Sequence, residues 1–194
     1  MNSKKIAIGG IFAAIIVVLQ VISNFVKFGP VNITLALAPI IIGAALYGRR
    51  FSAFLGAVLG LVVALCGLFG LDGGFVLSLA TYHPIIIYLV AFLKTTVAGY
   101  IAGIVYELIS KKQPFTAVIV SGIVCPLVNT GLFVAAMLIF FKTALLEMAA
   151  GTHVVSFIVF TLTGVNFAVE LAVNMILATA ITRVIKVLKK TSKI

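Results

Sequence analysis

Residues 84–109 read PIIIYLVAFLKTTVAGYIAGIVYELI. The run opens on Pro84, a residue that starts a helix well because the first turn needs no N–H donors there. It then stays apolar past the roughly 20 residues that cross a hydrocarbon core of about 30 Å. Its apolar residues are continuous, whereas a membrane β-strand would alternate over about 10 residues. This stretch therefore reads as a transmembrane α-helix, and its one deep charge, Lys94, is exceptional.

The neighbouring sequence repeats the pattern. Of 194 residues, 63% are hydrophobic and only 9% are charged, where a soluble domain carries about 25%. The mean hydropathy is +1.34. Such a chain cannot cover a water-facing surface and cannot be a soluble enzyme. Spans are expected at roughly 6–26, 32–48, 51–70, 84–109, 115–141 and 156–188. The fold class is thus an all-α membrane protein of six transmembrane helices, forming a single domain over 1–194. Lys4-Lys5 before an apolar run imitates a signal peptide, but the run to Phe25 is long for one and is retained as the first helix. Breaks fall at Gly29-Pro30, Gly48-Arg49-Arg50, Asp72-Gly73-Gly74, Pro84 and Pro114. The polar stretch from Lys142 to Ser156 leaves the core, with Ala144–Ala150 a candidate surface helix. Cys66 and Cys125 fall inside spans and read as packing residues.

Charge sets the orientation. Lys4, Lys5, Arg49, Arg50, Lys111, Lys112, Arg183, Lys186, Lys189, Lys190 and Lys193 lie on one side, against Lys27 and Lys142 on the other. Cationic loops stay inside, so both termini are expected in the cytoplasm, as in a multi-pass protein of a bacterial-type plasma membrane. The loops 71–83 and 142–156 then face outward. The net charge of +10 sits at helix ends beside lipid headgroups, and no basic face points to nucleic acid.

No P-loop, zinc motif or GxSxG elbow is present, so no catalytic residue, metal site or cofactor is assigned. Polar residues inside spans are costly and mark function by default. Lys94 lies about ten residues into its helix, too deep to snorkel easily. Asn166, Glu170 and Asn174 are spaced i, i+4, i+8 and share one helix face. Asn129 and Thr130 follow Pro126, which frees a carbonyl near Gly122. These residues can line a polar pocket among the last three spans; the compatible structural reading is an ion pair, Lys94 with Glu170, plus interhelical amide bonds. His153 can reach over the outer mouth or be an interfacial loop residue, and Tyr82, His83 and Tyr88 fit an aromatic belt. On the first helix, Gly9/Ala13 and Gly10/Ala14 form overlapping small-xxx-small pairs that let another helix approach.

Several stretches together are similar to a known family: GPVNITL at 29–35 with Pro39 and GAALYG at 43–48, SGIVCPLVNTG at 121–131, and the stripe from Asn166 to Asn174. From Lys5 to Lys190 the chain resembles the S-components, the substrate-binding membrane subunits of energy-coupling factor (ECF) vitamin transporters. The resemblance implies a non-enzymatic subunit that binds a vitamin or related micronutrient in an outward pocket built from helices four to six. It implies as partners a transmembrane coupling subunit and two cytoplasmic ATPases, which agrees with the missing P-loop. It also implies docking through an Ala-xxx-Ala type motif on helix one, here Gly9/Ala13 or Gly10/Ala14, with glycine in place of the first alanine.

A self-sufficient, proton-coupled secondary transporter or channel using Lys94 and Glu170 is the alternative. For the first reading, Lys94, Asn129, Thr130, His153, Asn166 and Glu170 are the candidate substrate residues. An ammonium in hydrocarbon needs an anionic partner, and asparagines suit amides or hydroxyls. With no tryptophan in the chain and few aromatics expected near the pocket, a small anionic, amide-bearing vitamin such as pantothenate fits better than a large stacked ring.

Overall fold

A computed structural model of the chain describes residues 3–25, 34–164, 166–176 and 182–183. The expected Gly29-Pro30 break, Lys27 and most of 177–194 lie outside the described residues. What is described is helical, with α1 at Ser3–Ser23, α2 at Leu37–Tyr47, α3 at Arg49–Leu68, α4 at Phe75–Ala80, α5 at Pro84–Ser110, α6 at Pro114–Phe140 and α7 at Lys142–Ala149. A last span covers Val154–Ile176. Five of these helices are long and apolar enough to cross a membrane: α1, α3, α5, α6 and the last span. The expected span at 32–48 is represented by α2, whose 11 residues reach only about 16 Å at 1.5 Å per residue.

Pro84 and Pro114 stand at the starts of α5 and α6, as their missing N–H groups favour. Pro126 sits inside α6 without ending it. The connection between α3 and α5 holds a helix of its own, α4, which the glycine-rich sequence did not suggest. Asp72 initiates it: Oδ1 accepts the Gly74 N–H at 3.0 Å and Oδ2 accepts the Val76 N–H at 2.8 Å. α7 matches the expected helix after Lys142, but it buries Ala144, Leu145 and Ala149 rather than lying free on the surface.

The centre of the bundle is α5, packed against α3 on one side and α6 on the other. The α3–α5 contact is close because glycines face backbone. A Cβ added at Gly99 would lie 2.5 Å from the Ser52 carbonyl oxygen, and one at Gly60 would lie 2.7 Å from Phe92 Cα. Buried Ser52 stitches the same seam, its Oγ donating to Gly99 O at 2.7 Å and Ile40 O at 3.2 Å. Gly99→Ala is therefore expected to destabilise the protein by about 1–3 kcal/mol, the range for overpacking a tight core. A lowered melting temperature in detergent checks this, and an unchanged one would show that the seam relaxes freely.

At one end of the bundle, Gly48 turns the chain between α2 and α3 with φ 84°. The Arg49 N–H donates to Glu107 Oε1 at 2.7 Å, and Arg49 Nε stands 3.8 Å from Glu107 Oε2. The basic connections at 49–50 and 111–112 thus share one end, as the charge pattern requires.

Two apolar clusters divide the interior. One joins Ile16, α2, Leu55, Leu59, Ala98, Ala102, Val118 and Cys125. The other joins α4, Ile87, Phe133, Met137, α7, Ile158 and Leu162. Both cysteines are free and buried. Along α5, Lys94 falls between Ile87 and Ala98; along α6, Asn129 falls between Cys125 and Phe133. The level between the clusters is where the polar residues collect.

Candidate functional site

A cavity of about 90 Å³ lies at that level, and Lys94, Asn129, Thr130, Asn166 and Glu170 all line it. The structure thus brings together five of the six substrate candidates. His153 is exposed at the start of the last span and is not among the lining residues. Asn174, the third member of the stripe, is buried, but its Cβ lies 3.8 Å from where a Cβ on Gly122 would sit, so it packs on α6 instead.

The two charges do not form a close pair. Among the described residues, Arg49–Glu107 is the ion pair within 4.0 Å, and Lys94 and Glu170 attract one another only at longer range. Lys94 Nζ instead stands over the Phe133 ring, 5.2 Å from its centroid, a cation–π contact. Glu170 Oε1 accepts the Thr34 N–H at 2.6 Å, which ties the segment before α2 to the last span. The Thr34 side chain also stands by this carboxylate, and Asn129 Oδ1 is buried with no hydrogen-bond partner among the described residues. In hydrocarbon such an atom is costly unless something meets it.

The register that presents Asn166 and Glu170 follows an irregular turn. Phe157–Leu162 is π-helical, and Thr163 closes it, its N–H and Oγ1 donating to Ile158 O at 3.0 and 2.8 Å. A wide turn resets which side chains face inward downstream, and such turns recur at functional sites.

Other lining residues had not been singled out. Gln20 reaches the cavity from α1 and Asn24 from the turn just after it, Thr34 from the segment before α2, and Asp72 and Phe75 from the connection after α3 and the start of α4. Gln20 Nε2 donates to Asn24 Oδ1 at 3.4 Å. These two are polar, in a span, and spaced i, i+4, so the rule that picked out Asn166 and Glu170 applies to them equally. Phe75, Phe133 and Phe167 give the cavity more aromatic surface than expected, which removes the argument against ring-bearing ligands from aromatic scarcity. The small volume is now what favours a compact ligand.

At the end of the bundle away from the Gly48 turn, α4 lines the cavity and α7 packs in the same apolar cluster as α4. Phe75 packs on Phe133 with ring centroids 6.2 Å apart, and His83 meets Phe141 edge-on at 5.7 Å. The Tyr82 hydroxyl donates to Glu147, linking the α4–α5 turn to α7. That hydrogen bond, then burial and the carboxylate's charge, raise the Tyr82 phenol above its ordinary value. A phenol raised in this way holds its contribution below about pH 10, the ordinary tyrosine value, and loses it as pH rises through the higher folded value. Glu147→Gln should therefore let Tyr82 titrate earlier, read as the wild-type minus Tyr82→Phe difference in tyrosinate absorbance. An unmoved titration would mean that the link does not hold in solution.

On α1 the two small-residue pairs part company. A Cβ at Gly9 would touch the Phe51 and Phe54 rings, each at 3.7 Å, so Gly9 serves the contact with α3, and Ala13 is half-buried. Among the described residues, a Cβ at Gly10 would meet nothing within 4 Å, and Ala14 is exposed. α1 is also the least buried of the five long helices, with 22% of its apolar window covered.

A search of curated proteins finds no match. The sequence model of a family described as "ECF transporter, substrate-specific component" matches residues 4–184. A multi-pass helical chain, matched over nearly its whole length, belongs to the substrate-specific components of ECF transporters.

Proposed function

We propose that the chain is the substrate-capture subunit of an ATP-driven ECF importer and holds a vitamin or related micronutrient in the cavity between α1, α5, α6 and the last span. The observation that carries this is that Lys94 and Glu170 line one cavity and, among the described residues, form no ion pair within 4.0 Å. A purely structural pair would be expected to close within contact distance, because two separated charges in hydrocarbon are costly. An anionic group of the ligand on Lys94, with Asn129, Thr130, Asn166 and Glu170 around it, suits a pantothenate-like vitamin. The cavity of about 90 Å³ is below the roughly 300–1,000 Å³ of ligand sites, so α4 and α7 move outward to admit cargo.

In this reading α2 belongs to a sixth crossing, both termini are cytoplasmic, and the membrane is a bacterial plasma membrane. Cargo enters from the outer side, and Gly10/Ala14 is the pair that meets the coupling subunit, which in turn carries two ATPases. The test is uptake of labelled pantothenate into vesicles. Uptake that needs the coupling subunit, the ATPases and ATP supports the proposal. Uptake by the chain alone, driven by a proton gradient, would replace it with the secondary-transporter reading.

A further inference from the structure

The capture reading takes its named ligand residues from α5, α6 and the last span, and gives α1 the docking role. α1 has two faces, however. Gly9, Ile16, Gln20 and Ser23 are buried, while Gly10, Ala14, Val17 and Val21 are exposed. From Ile6 to Val21 the one polar side chain is Gln20. A glutamine this near the end of a span is free to turn toward water and headgroups, yet Gln20 is only 4% exposed and lines the cavity together with Lys94 and Asn129. Among the described residues its hydrogen bonding is incomplete. Nε2 donates to Asn24 Oδ1 at 3.4 Å, longer than the roughly 2.7–3.2 Å of an ordinary N–H···O bond. Oε1 is buried with no hydrogen-bond partner. An amide can be turned to offer its NH₂ instead, so the group is equipped to accept or to donate.

Ser23, on the same face, is a structural polar residue by contrast. Its Oγ donates to Leu19 O at 2.7 Å and accepts the Leu35 N–H at 3.2 Å, which ties α1 to the segment before α2. Gln20 has no such set. A side chain kept there for the fold alone would be apolar, because an unmet amide inside a span costs stability. We propose that Gln20 is a ligand-binding residue, its amide hydrogen-bonding a hydroxyl or amide group of the captured molecule; this rests on the capture reading. α1 is then a wall of the site as well as the docking helix. The two tasks fall on different faces, so a ligand on Gln20 leaves Gly10 and Ala14 open to a partner. Removing the amide should help the empty chain and harm binding.

The experiment is calorimetric titration of pantothenate into the purified full chain, as wild type, Gln20→Met and Gln20→Leu, with the melting temperature of each taken without ligand. Methionine keeps the unbranched length, and both replacements are apolar. Both variants are expected to bind about fivefold more weakly, the worth of one neutral hydrogen bond. Their ligand-free melting temperatures should hold or rise, because the unmet amide is gone. Loss of a merely structural contact would not give changes of opposite sign. Unchanged affinity in either folded variant would overturn the assignment of Gln20 and leave capture standing. Affinity and melting temperature falling together in both variants would make Gln20 structural and overturn it likewise. No binding of pantothenate by folded wild type would overturn capture of that vitamin and the assignment with it.

Discussion

Lys94→Ala is expected to weaken ligand binding at least tenfold, about 1.4 kcal/mol. The ammonium lies on α5 between the two apolar clusters, where little water screens it and charge interactions are stronger than at a surface. The substitution removes the ligand's counter-charge. It also leaves the Glu170 carboxylate facing the incoming anion with no cation beside it, so the loss includes a repulsion. Folded stability should move less, because among the described residues Lys94 has no close ion pair to break. Lys94→Met separates charge from packing, as it keeps most of the stem over Phe133. An equal loss in both variants assigns the effect to the charge. Unchanged affinity in either folded variant would remove Lys94 from the site.

Gly10→Leu is expected to cut ATP-driven uptake at least tenfold while leaving the isolated chain's ligand affinity within about twofold, a change of roughly 0.4 kcal/mol. The argument is steric. No described residue lies within 4 Å of where a Cβ on Gly10 would sit, so a side chain there starts into open space. It would hold a docking helix away, since close helix approach depends on small residues. Gly9→Leu should behave in the opposite way. It crowds Phe51 and Phe54 and should lower the melting temperature of the chain alone. Co-purification with the coupling subunit reads the first effect directly. Full assembly and uptake with Gly10→Leu would move the docking face elsewhere on the chain.

Most of the helix pattern was legible because membrane spans are written in local composition. The starts of α5 and α6 at proline, the Gly48 turn and the helix after Lys142 follow from rules that act within a few residues. α2 was overestimated because 32–48 is apolar throughout, while Thr34–Ala36 lies outside the helix. α4 was missed because Asp72 accepting from Gly74 and Val76 is a three-dimensional cap, not a composition. The π-helical turn at 157–162 has no sequence signature at all.

The site was legible where polarity interrupts a span, which is why Lys94, Asn129 and the Asn166–Glu170 stripe stood out and why they meet. Gln20 and Asn24 obey the same rule but sit on, and just after, a helix read for its small residues. Thr34, Asp72 and Phe75 come from connections, whose path over the bundle is set by packing between distant segments. The same limit applies to Lys94 and Glu170. Their sequence positions permit a contact pair, and only the registers of α5 and the last span decide that they stand apart.

The most direct test of substrate capture is the melting temperature of the detergent-purified chain against a panel of B vitamins and their precursors. A ligand that binds only the native state stabilises it by about 2.7 kcal/mol at one hundred times its Kd. The account predicts a saturable rise with a small carboxylate and a much smaller rise at the same concentration in Lys94→Ala. No rise with any compound, in protein shown to be folded, would contradict it.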